Sequence, residues 1–149
     1  GGAGAAVAYA LLSLGVGRLV VFDTDSSRVY ALLAALEARF GAGRAFAVED
    51  VFQEVSEADG IVNATPVGML KLPGMPLPVK TLRPEHWVAD VIYFPLETDW
   101  LRAARSLGCR GMGGGGMAVF QAVDAFGLFA RKPANALRMQ RHFEALITG

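Results

Sequence analysis

The sequence has one cysteine, two histidines and no excess charge of either sign. Cys109 has no second cysteine with which to form an internal disulfide, so a reducing compartment such as the cytoplasm fits the chain. His86 and His142 lie far apart in sequence, which argues against a zinc site, and we expect no metal. Fourteen basic residues balance fourteen acidic ones. Since no basic patch is present, we expect no nucleic acid partner.

Long apolar runs are also missing. No stretch of about 20 apolar residues occurs, so we expect neither a membrane span nor a membrane partner. Hydrophobic residues make up 53% and charged residues 19% of the chain, as in globular proteins. The 149 residues suit a single domain. The glycine-rich start carries no targeting signal and looks truncated, so we expect that a segment upstream of Gly1 has been removed.

Helical and extended segments alternate along the chain. Helices are predicted at 4–14, 26–39, 51–57, 98–107, 117–130 and 134–147, and strands at 18–23, 45–48, 60–64, 87–93 and near 112. Four prolines between 66 and 78 predict a long loop. This alternation predicts an α/β fold, a parallel sheet with helices on both faces that binds ligands at the carboxyl ends of its strands.

The glycines at the start precede an apolar helix, and the strand that follows ends on Asp23. Glycines allow backbone amides to approach a pyrophosphate, the helix N-terminus favours its charge, and an acid about 20 residues later can bind the adenosine ribose. The strand that should precede the glycines is absent, so the order predicts a dinucleotide site cut through its phosphate loop. The alternative is that the glycines are a frayed tail or the remnant of a tag.

The acid at the end of this strand bears on the choice of cofactor. Asp23 can bond both ribose hydroxyls and repel a 2′-phosphate, which favours NAD over NADP. Asp23 or Asp25 could instead be only a helix cap. Arg28, one turn into the next helix, could stack on adenine or accept a phosphate, so use of both cofactors stays open.

Several polar or flexible positions fall at later strand ends. Asn63 and Thr65 could meet a ribose, or belong to an ordinary loop. Tyr93 could project into the cleft or lie in the core. The glycines 113–116 could expose backbone groups to a planar nicotinamide or form a loose linker. Gln121 could bond a polyol or sit on a solvated helix face.

Taken together, four segments resemble the C-terminal, cofactor-binding domain of the shikimate dehydrogenase family. They are Gly1-Gly2-Ala3-Gly4-Ala5-Ala6, Ile61-Val62-Asn63-Ala64-Thr65-Pro66-Val67-Gly68-Met69, Asp90-Val91-Ile92-Tyr93-Phe94-Pro95-Leu96-Glu97-Thr98 and the segment 116–126. The resemblance covers nearly the whole chain, and the Asn-Ala-Thr-Pro-x-Gly-Met and Met-x-x-x-Gln-Ala patterns are specific in combination. Phe22-Asp23-x-Asp25 is similar to the NAD-using quinate/shikimate dehydrogenases, whereas the biosynthetic NADP enzymes usually carry Asn-Arg-Thr there.

The resemblance implies a Rossmann-like, doubly wound parallel sheet whose first strand is missing from this chain. In the strand order 3-2-1-4-5-6 that strand would lie between the strands at 18–23 and 60–64. By motif, Gly1, Gly2 and Ala3 would hold the pyrophosphate, Asp23 the ribose and Arg28 the adenine end; Thr65 would line the cofactor cleft, Val91 and Gly114 would contact the nicotinamide, and Tyr93 and Gln121 the polyol. Gly113 replaces an aspartate of the family pattern.

The family's general acid/base lysine, its partner aspartate and its carboxylate clamp belong to a separate N-terminal domain. Lys71, Lys80 and Lys132 match no such motif, so the resemblance implies no catalytic residue in this chain and no activity for it alone. The full-length parent would transfer hydride between NAD, or NADP, and a ring hydroxyl of shikimate or quinate, in aromatic amino acid biosynthesis. Its partner would be a polyol carboxylate, and a homodimer is allowed. The alternative is a non-catalytic dinucleotide-binding module that acts as a sensor or regulator.

Overall fold

The computed structural model describes residues 1 to 148, in which helices and parallel strands alternate as predicted. The helices are α1 (Gly2–Ser13), α2 (Ser26–Phe40), α3 (Val51–Glu57), α4 (Asp99–Leu107), α5 (Gly115–Ala130) and α6 (Ala136–Thr148), and the strands are β1 (Leu19–Val21), β2 (Ala45–Ala47), β3 (Gly60–Asn63), β4 (Trp87–Asp90) and β5 (Arg110–Met112). A short 3-10 turn, Val79–Thr81, lies in the proline-rich loop. Among the described residues, no helix combines the length and the apolar character needed to cross a bilayer.

The chain divides into two compact units, of which the first is Gly1–Asp59. Its strands β1 and β2 are parallel, with Leu19 opposite Ala45. Helices α1 and α2 form the core of this unit through the buried side chains of Ala8, Leu12 and Leu36. In α1 it is thus Ala8 and Leu12 that pack in the core.

The second unit begins at Gly60 and contains a parallel sheet in the order β3-β4-β5. A Cβ at Gly60 would lie 1.8 Å from the indole of Trp87, its partner on β4, so only glycine fits at the start of β3. The core of the unit is formed by buried residues of β4 and α4, among them Val88, Trp100 and Leu101. The register places Asn63 opposite Asp90, which brings two polar side chains together at the carboxyl ends of β3 and β4.

Several boundaries differ from those predicted by up to three residues; β1, for example, ends at Val21, two residues before Asp23. Two of these differences position the site. Strand β4 ends at Asp90 rather than at Tyr93, because the Asp90 carboxylate accepts a hydrogen bond from the amide of Ile92 and turns the chain there. Helix α5 begins at Gly115, two residues earlier than the sequence predicts. Only the first half of the 113–116 glycine run is therefore a loop, and the second half is the first turn of a helix.

Candidate functional site

In the first unit, the start of α1 and the end of β1 lie side by side. Gly1 is the N-cap of α1 and makes no side-chain cap, and Gly1, Gly2 and Ala3 are all exposed. The backbone nitrogen of Gly1 lies 4.0 Å from Oδ2 of Asp23. A helix N-terminus, with its unpaired amides and partial positive charge, thus stands next to a carboxylate, the two elements that the pyrophosphate and ribose of a dinucleotide require.

The Asp23 carboxylate is oriented by its own turn. Its Oδ1 accepts hydrogen bonds from the Asp25 amide at 3.1 Å and from the Thr24 hydroxyl at 3.5 Å. The side chain is 31% exposed, so water and ligands can reach it. These contacts fix one oxygen within the loop and leave the other directed toward the start of α1.

The capping role falls to Asp25 rather than to Asp23. Asp25 is the N-cap of α2 and accepts hydrogen bonds from the amide and the hydroxyl of Ser27. The Ser27 hydroxyl, followed by backbone hydrogen bonds and the charge of Arg28, lowers the pKa of Asp25. The Arg28 guanidinium is exposed, and its Nε lies 3.1 Å from Oδ2 of Asp25. Arg28 is therefore held by the cap, while Asp23 is not used as one.

In the second unit, buried polar side chains connect the ends of β3 and β4. Asn63 is 3% exposed. Its Oδ1 accepts hydrogen bonds from the amide of Thr65 at 3.0 Å and from the hydroxyl at 2.7 Å. Its Nδ2 donates to Oδ1 of Asp90 and to the carbonyl of Val67, both at 3.1 Å. Thr65 is exposed, and its hydroxyl also accepts a hydrogen bond from the Val67 amide at 3.1 Å, so the buried Asn63 side chain fixes an exposed residue at the sheet edge.

Asp90, also 3% exposed, continues this network beyond the two strands. Its Oδ2 accepts a hydrogen bond from the Thr98 hydroxyl at 2.7 Å. The Thr98 oxygen in turn accepts from the Leu101 amide and so caps α4. Sequence reasoning did not assign roles to Asp90 and Thr98. The available signal was an acid at the end of a buried strand, where an unpaired charge would be costly.

Gly114 packs directly against the segment that follows β4. It is buried, and its amide donates to the carbonyl of Ile92 at 3.1 Å. A Cβ at this position would lie 2.3 Å from the carbonyl oxygen of Val91 and 2.7 Å from that of Ile92. The structure thus brings Val91 and Gly114 together through their backbones. The absence of a side chain at Gly114 is what permits this approach.

Comparisons of sequence and of structure both match this chain to shikimate and quinate dehydrogenases. The chain is 55% identical over 141 residues to a shikimate dehydrogenase (NADP(+)) of Streptomyces avermitilis, which covers 93% of this chain and 48% of that protein. It is 45% identical over 148 residues to a quinate/shikimate dehydrogenase (NAD(+)) of Corynebacterium efficiens, covering 98% and 52%. A solved structure, quinate dehydrogenase from Corynebacterium glutamicum in complex with NAD, matches with a TM-score of 0.92 and 44% identity, over 97% of this chain and 52% of that one.

The resemblance to the shikimate dehydrogenase family is confirmed. No protein-family model matches the chain. The chain spans about half the length of the curated relatives it matches. The predicted fold class, a Rossmann-like α/β domain with parallel strands, is confirmed by the same comparison. The relatives named here carry different cofactors in their names, NADP for the Streptomyces protein and NAD for the Corynebacterium protein, so similarity alone does not select one for this chain.

The two residues that the shikimate dehydrogenase pattern associates with a polyol are both accessible. Tyr93 follows β4 by three residues and is 50% exposed, so it is not a core residue. Gln121 lies on α5 and is exposed. Both belong to the second unit, the one that also contains Thr65, Val91 and Gly114.

The three lysines that match no family motif lie outside the network at the ends of β3 and β4. Lys71 belongs to the loop after β3, Lys80 to the 3-10 turn, and Lys132 to the segment after α5. Within residues 1 to 148, no group of three histidine, cysteine, aspartate or glutamate side chains is placed to hold a metal ion. None of these three lysines takes part in the hydrogen bonds that join Asn63, Asp90 and Thr98.

Proposed function

We propose that this chain is the dinucleotide-binding part of an oxidoreductase that transfers hydride between NAD(P) and a ring hydroxyl of shikimate or quinate. The observation that carries the proposal is the match over 97% of the chain to a quinate dehydrogenase solved with NAD. The two groups of residues described above support it. One group pairs a helix N-terminus with a carboxylate, and the other pairs an exposed threonine with closely packed backbone.

In this proposal the first unit binds the ADP portion of the cofactor. The amides of Gly1, Gly2 and Ala3 would meet the pyrophosphate, since they stand at the N-terminus of a helix. Asp23 would accept hydrogen bonds from the adenosine ribose and repel a 2′-phosphate, which makes NAD the preferred cofactor. Arg28 would flank the adenine. Its ion pair with Asp25 neutralises part of its charge and weakens its attraction for a 2′-phosphate.

The second unit would bind the nicotinamide portion. The hydroxyl of Thr65 and the backbone of Val91 and Gly114 would contact and orient the ring, while Tyr93 and Gln121 would bond the polyol. The bound cofactor would supply the hydride acceptor, and these residues would position it against the alcohol carbon. Removal of the hydroxyl proton needs a general base, which the family places in a separate domain.

We propose that the native protein contains further structure, namely the first strand of the doubly wound sheet and a substrate domain. Among the described residues β1 pairs only with β2, and β3 only with β4. In a doubly wound sheet a further strand precedes the phosphate-binding glycines. A cytoplasmic location, a homodimeric state and a role in aromatic amino acid biosynthesis belong to the same proposal.

Steady-state assays of the complete gene product with shikimate and quinate, each with NAD and NADP, test the proposed function. We expect reduction of the cofactor with at least one polyol, a preference for NAD, and no turnover by residues 1–149 alone. Binding of NAD without turnover of either polyol would overturn the enzymatic proposal. That outcome would favour the non-catalytic dinucleotide-binding module.

A further inference from the structure

The buried carboxylate of Asp90 is the one charged side chain in the Asn63–Asp90–Thr98 network, and none of the contacts proposed for cofactor or polyol uses it. Both oxygens are occupied. Oδ1 accepts from the Asn63 side chain and the Ile92 amide, and Oδ2 accepts from the Thr98 hydroxyl. A carboxylate accepts hydrogen bonds only, so three donors that converge on it from different elements are held in a single arrangement.

These bonds lead to each residue of the proposed nicotinamide site. Through Asn63, the carboxylate orients the amide and hydroxyl of Thr65. Through the Ile92 amide, it shapes the turn in which the Val91 amide donates to the Asn63 carbonyl at 3.0 Å. The Ile92 carbonyl then receives the amide of Gly114. The Asp90 side chain is therefore connected to all three proposed nicotinamide contacts. It reaches Thr65 through Asn63, Gly114 through Ile92, and Val91 as its neighbour in the chain.

We propose that Asp90 is a positioning residue for hydride transfer, one that sets the geometry of the nicotinamide ring without touching it. This inference rests on the proposed function. A loop held by one buried carboxylate has a fixed backbone conformation. A nicotinamide ring that packs against this loop would therefore also be held in a fixed position. A displacement of about 1 Å at the reacting atoms can lower a rate about 100-fold.

The test compares Asp90→Asn with the unmodified complete gene product. The amide keeps the size of the side chain but removes one acceptor and the charge. We expect kcat to fall about 10- to 100-fold. The affinity for ADP-ribose, which lacks nicotinamide, should be unchanged in calorimetry, whereas the affinity for NAD should fall toward that for ADP-ribose. A role confined to folding would not change this ratio.

Two comparisons guard against a trivial loss of structure. Val88→Ala, in the same strand and 1% exposed, should lower stability while leaving the NAD to ADP-ribose ratio unchanged. Thr98→Val removes the hydroxyl that binds Asp90 and should reproduce a smaller version of the Asp90→Asn effect. Thr98→Ser, which retains the hydroxyl, should restore kcat. If Asp90→Asn does not fold, the comparison of Thr98→Val with Thr98→Ser tests the positioning role of Asp90 instead.

Hydrogen exchange without cofactor separates this inference from the proposed function. The two variants are compared under conditions in which their free energies of unfolding are equal. The amides of 63–67, 91–96 and 112–116 should then exchange faster in Asp90→Asn than in Val88→Ala. If these amides respond but the unmodified protein turns over neither polyol, the proposed function fails and the positioning of the loops stands. Equal losses of NAD and ADP-ribose affinity, or amide exchange that matches Val88→Ala, would overturn the role of Asp90.

Discussion

The two groups of proposed cofactor contacts are built in different ways. Around Asp23, the carboxylate is partly exposed and its hydrogen bonds reach only the next two residues of the chain. Around Asp90, the side chains are buried and join positions 27 and 8 residues apart. A locally built contact can be removed without disturbing the fold. A buried network that also supports contacts cannot be changed without affecting both stability and binding.

The largest effect should come from Gly114→Ala, which places a methyl group within 2.3 Å of the Val91 carbonyl oxygen. The atoms that this methyl group would meet belong to the backbone of Val91 and Ile92 and cannot rotate away, so we expect a loss of about 3 kcal/mol in the free energy of unfolding. Urea unfolding of the complete gene product measures it, with hydrogen exchange locating the change at 91–96.

Gly116→Ala is the matched control, two residues further along the same glycine run. A Cβ there meets nothing within 4 Å, and the residue lies in the first turn of α5. Because alanine is a better helix former than glycine, we expect an unchanged or slightly higher stability, by up to about 1 kcal/mol. Equal destabilisation by the two variants would contradict the close packing of Gly114 on Val91.

Asp23→Ala should remove the proposed ribose contact of the first unit while the protein still folds. We expect NAD binding to weaken by about 1.5 to 3 kcal/mol, the usual contribution of hydrogen bonds to a charged group. Asp50→Ala is the control, since Asp50 also accepts a hydrogen bond from an amide two residues later, at 2.8 Å, and caps α3 in the same unit. Calorimetry should show unchanged NAD affinity for Asp50→Ala; a similar loss in both variants would remove Asp23 from the site.

Asp25→Ser should sharpen the account of cofactor choice. Serine can still cap α2, but it releases the Arg28 guanidinium from its ion pair. Because exposed ion pairs are weak, we expect the NADP to NAD affinity ratio to rise only by roughly 1.5- to 5-fold. In Asp25→Ser combined with Arg28→Ala the rise should disappear. A rise that persists in the double variant would show that Arg28 is not responsible.

The smallest effect concerns Glu97, which directly precedes Thr98 of the Asp90 network and pairs with Arg102 and Arg105. The hydrogen bond from Arg105, followed by that from Arg102, lowers the pKa of Glu97, and Arg105 also donates to the Gly111 carbonyl. A lowered native pKa stabilises the fold above the ordinary value of 4.5, and this contribution is lost as the pH falls through the native pKa. The stability difference between the unmodified protein and Glu97→Gln should therefore shrink on acidification below pH 4.5.

Thermal unfolding from pH 7 to pH 3 measures this dependence. Glu37→Gln is the control. It also removes one carboxylate, and within residues 1 to 148 no ion pair is found for Glu37. A pH-independent difference for Glu97→Gln, or the same slope for both variants, would contradict the ion-pair account.

The sequence predicts the local features of this molecule well. Helix caps and the alternation of helices and strands depend on residues within a few positions of one another, and Asp25, one of the two caps considered for α2, is the cap in the structure. The specific motif at Asn63 and Thr65 also identifies residues that the structure connects.

The roles of Asp90 and Thr98 could not be predicted in this way. They depend on the register of β3 against β4 and on the return of the chain to α4, which no local pattern encodes. The end of β4 at Asp90 has the same origin, since Val91, Ile92 and Tyr93 continue an apolar strand pattern that the carboxylate interrupts. The close approach of Gly114 to Val91 likewise follows from packing between segments distant in sequence.

Hydrogen exchange of the complete gene product, with and without saturating NAD, tests the central claim most directly. The account predicts slower exchange in two separate places, at the first amides of α1 in the first unit and at 63–67, 91–93 and 113–115 in the second. The rest of both units should change little. Protection in only one of these regions, or at neither, would contradict the claim that both bind parts of one dinucleotide.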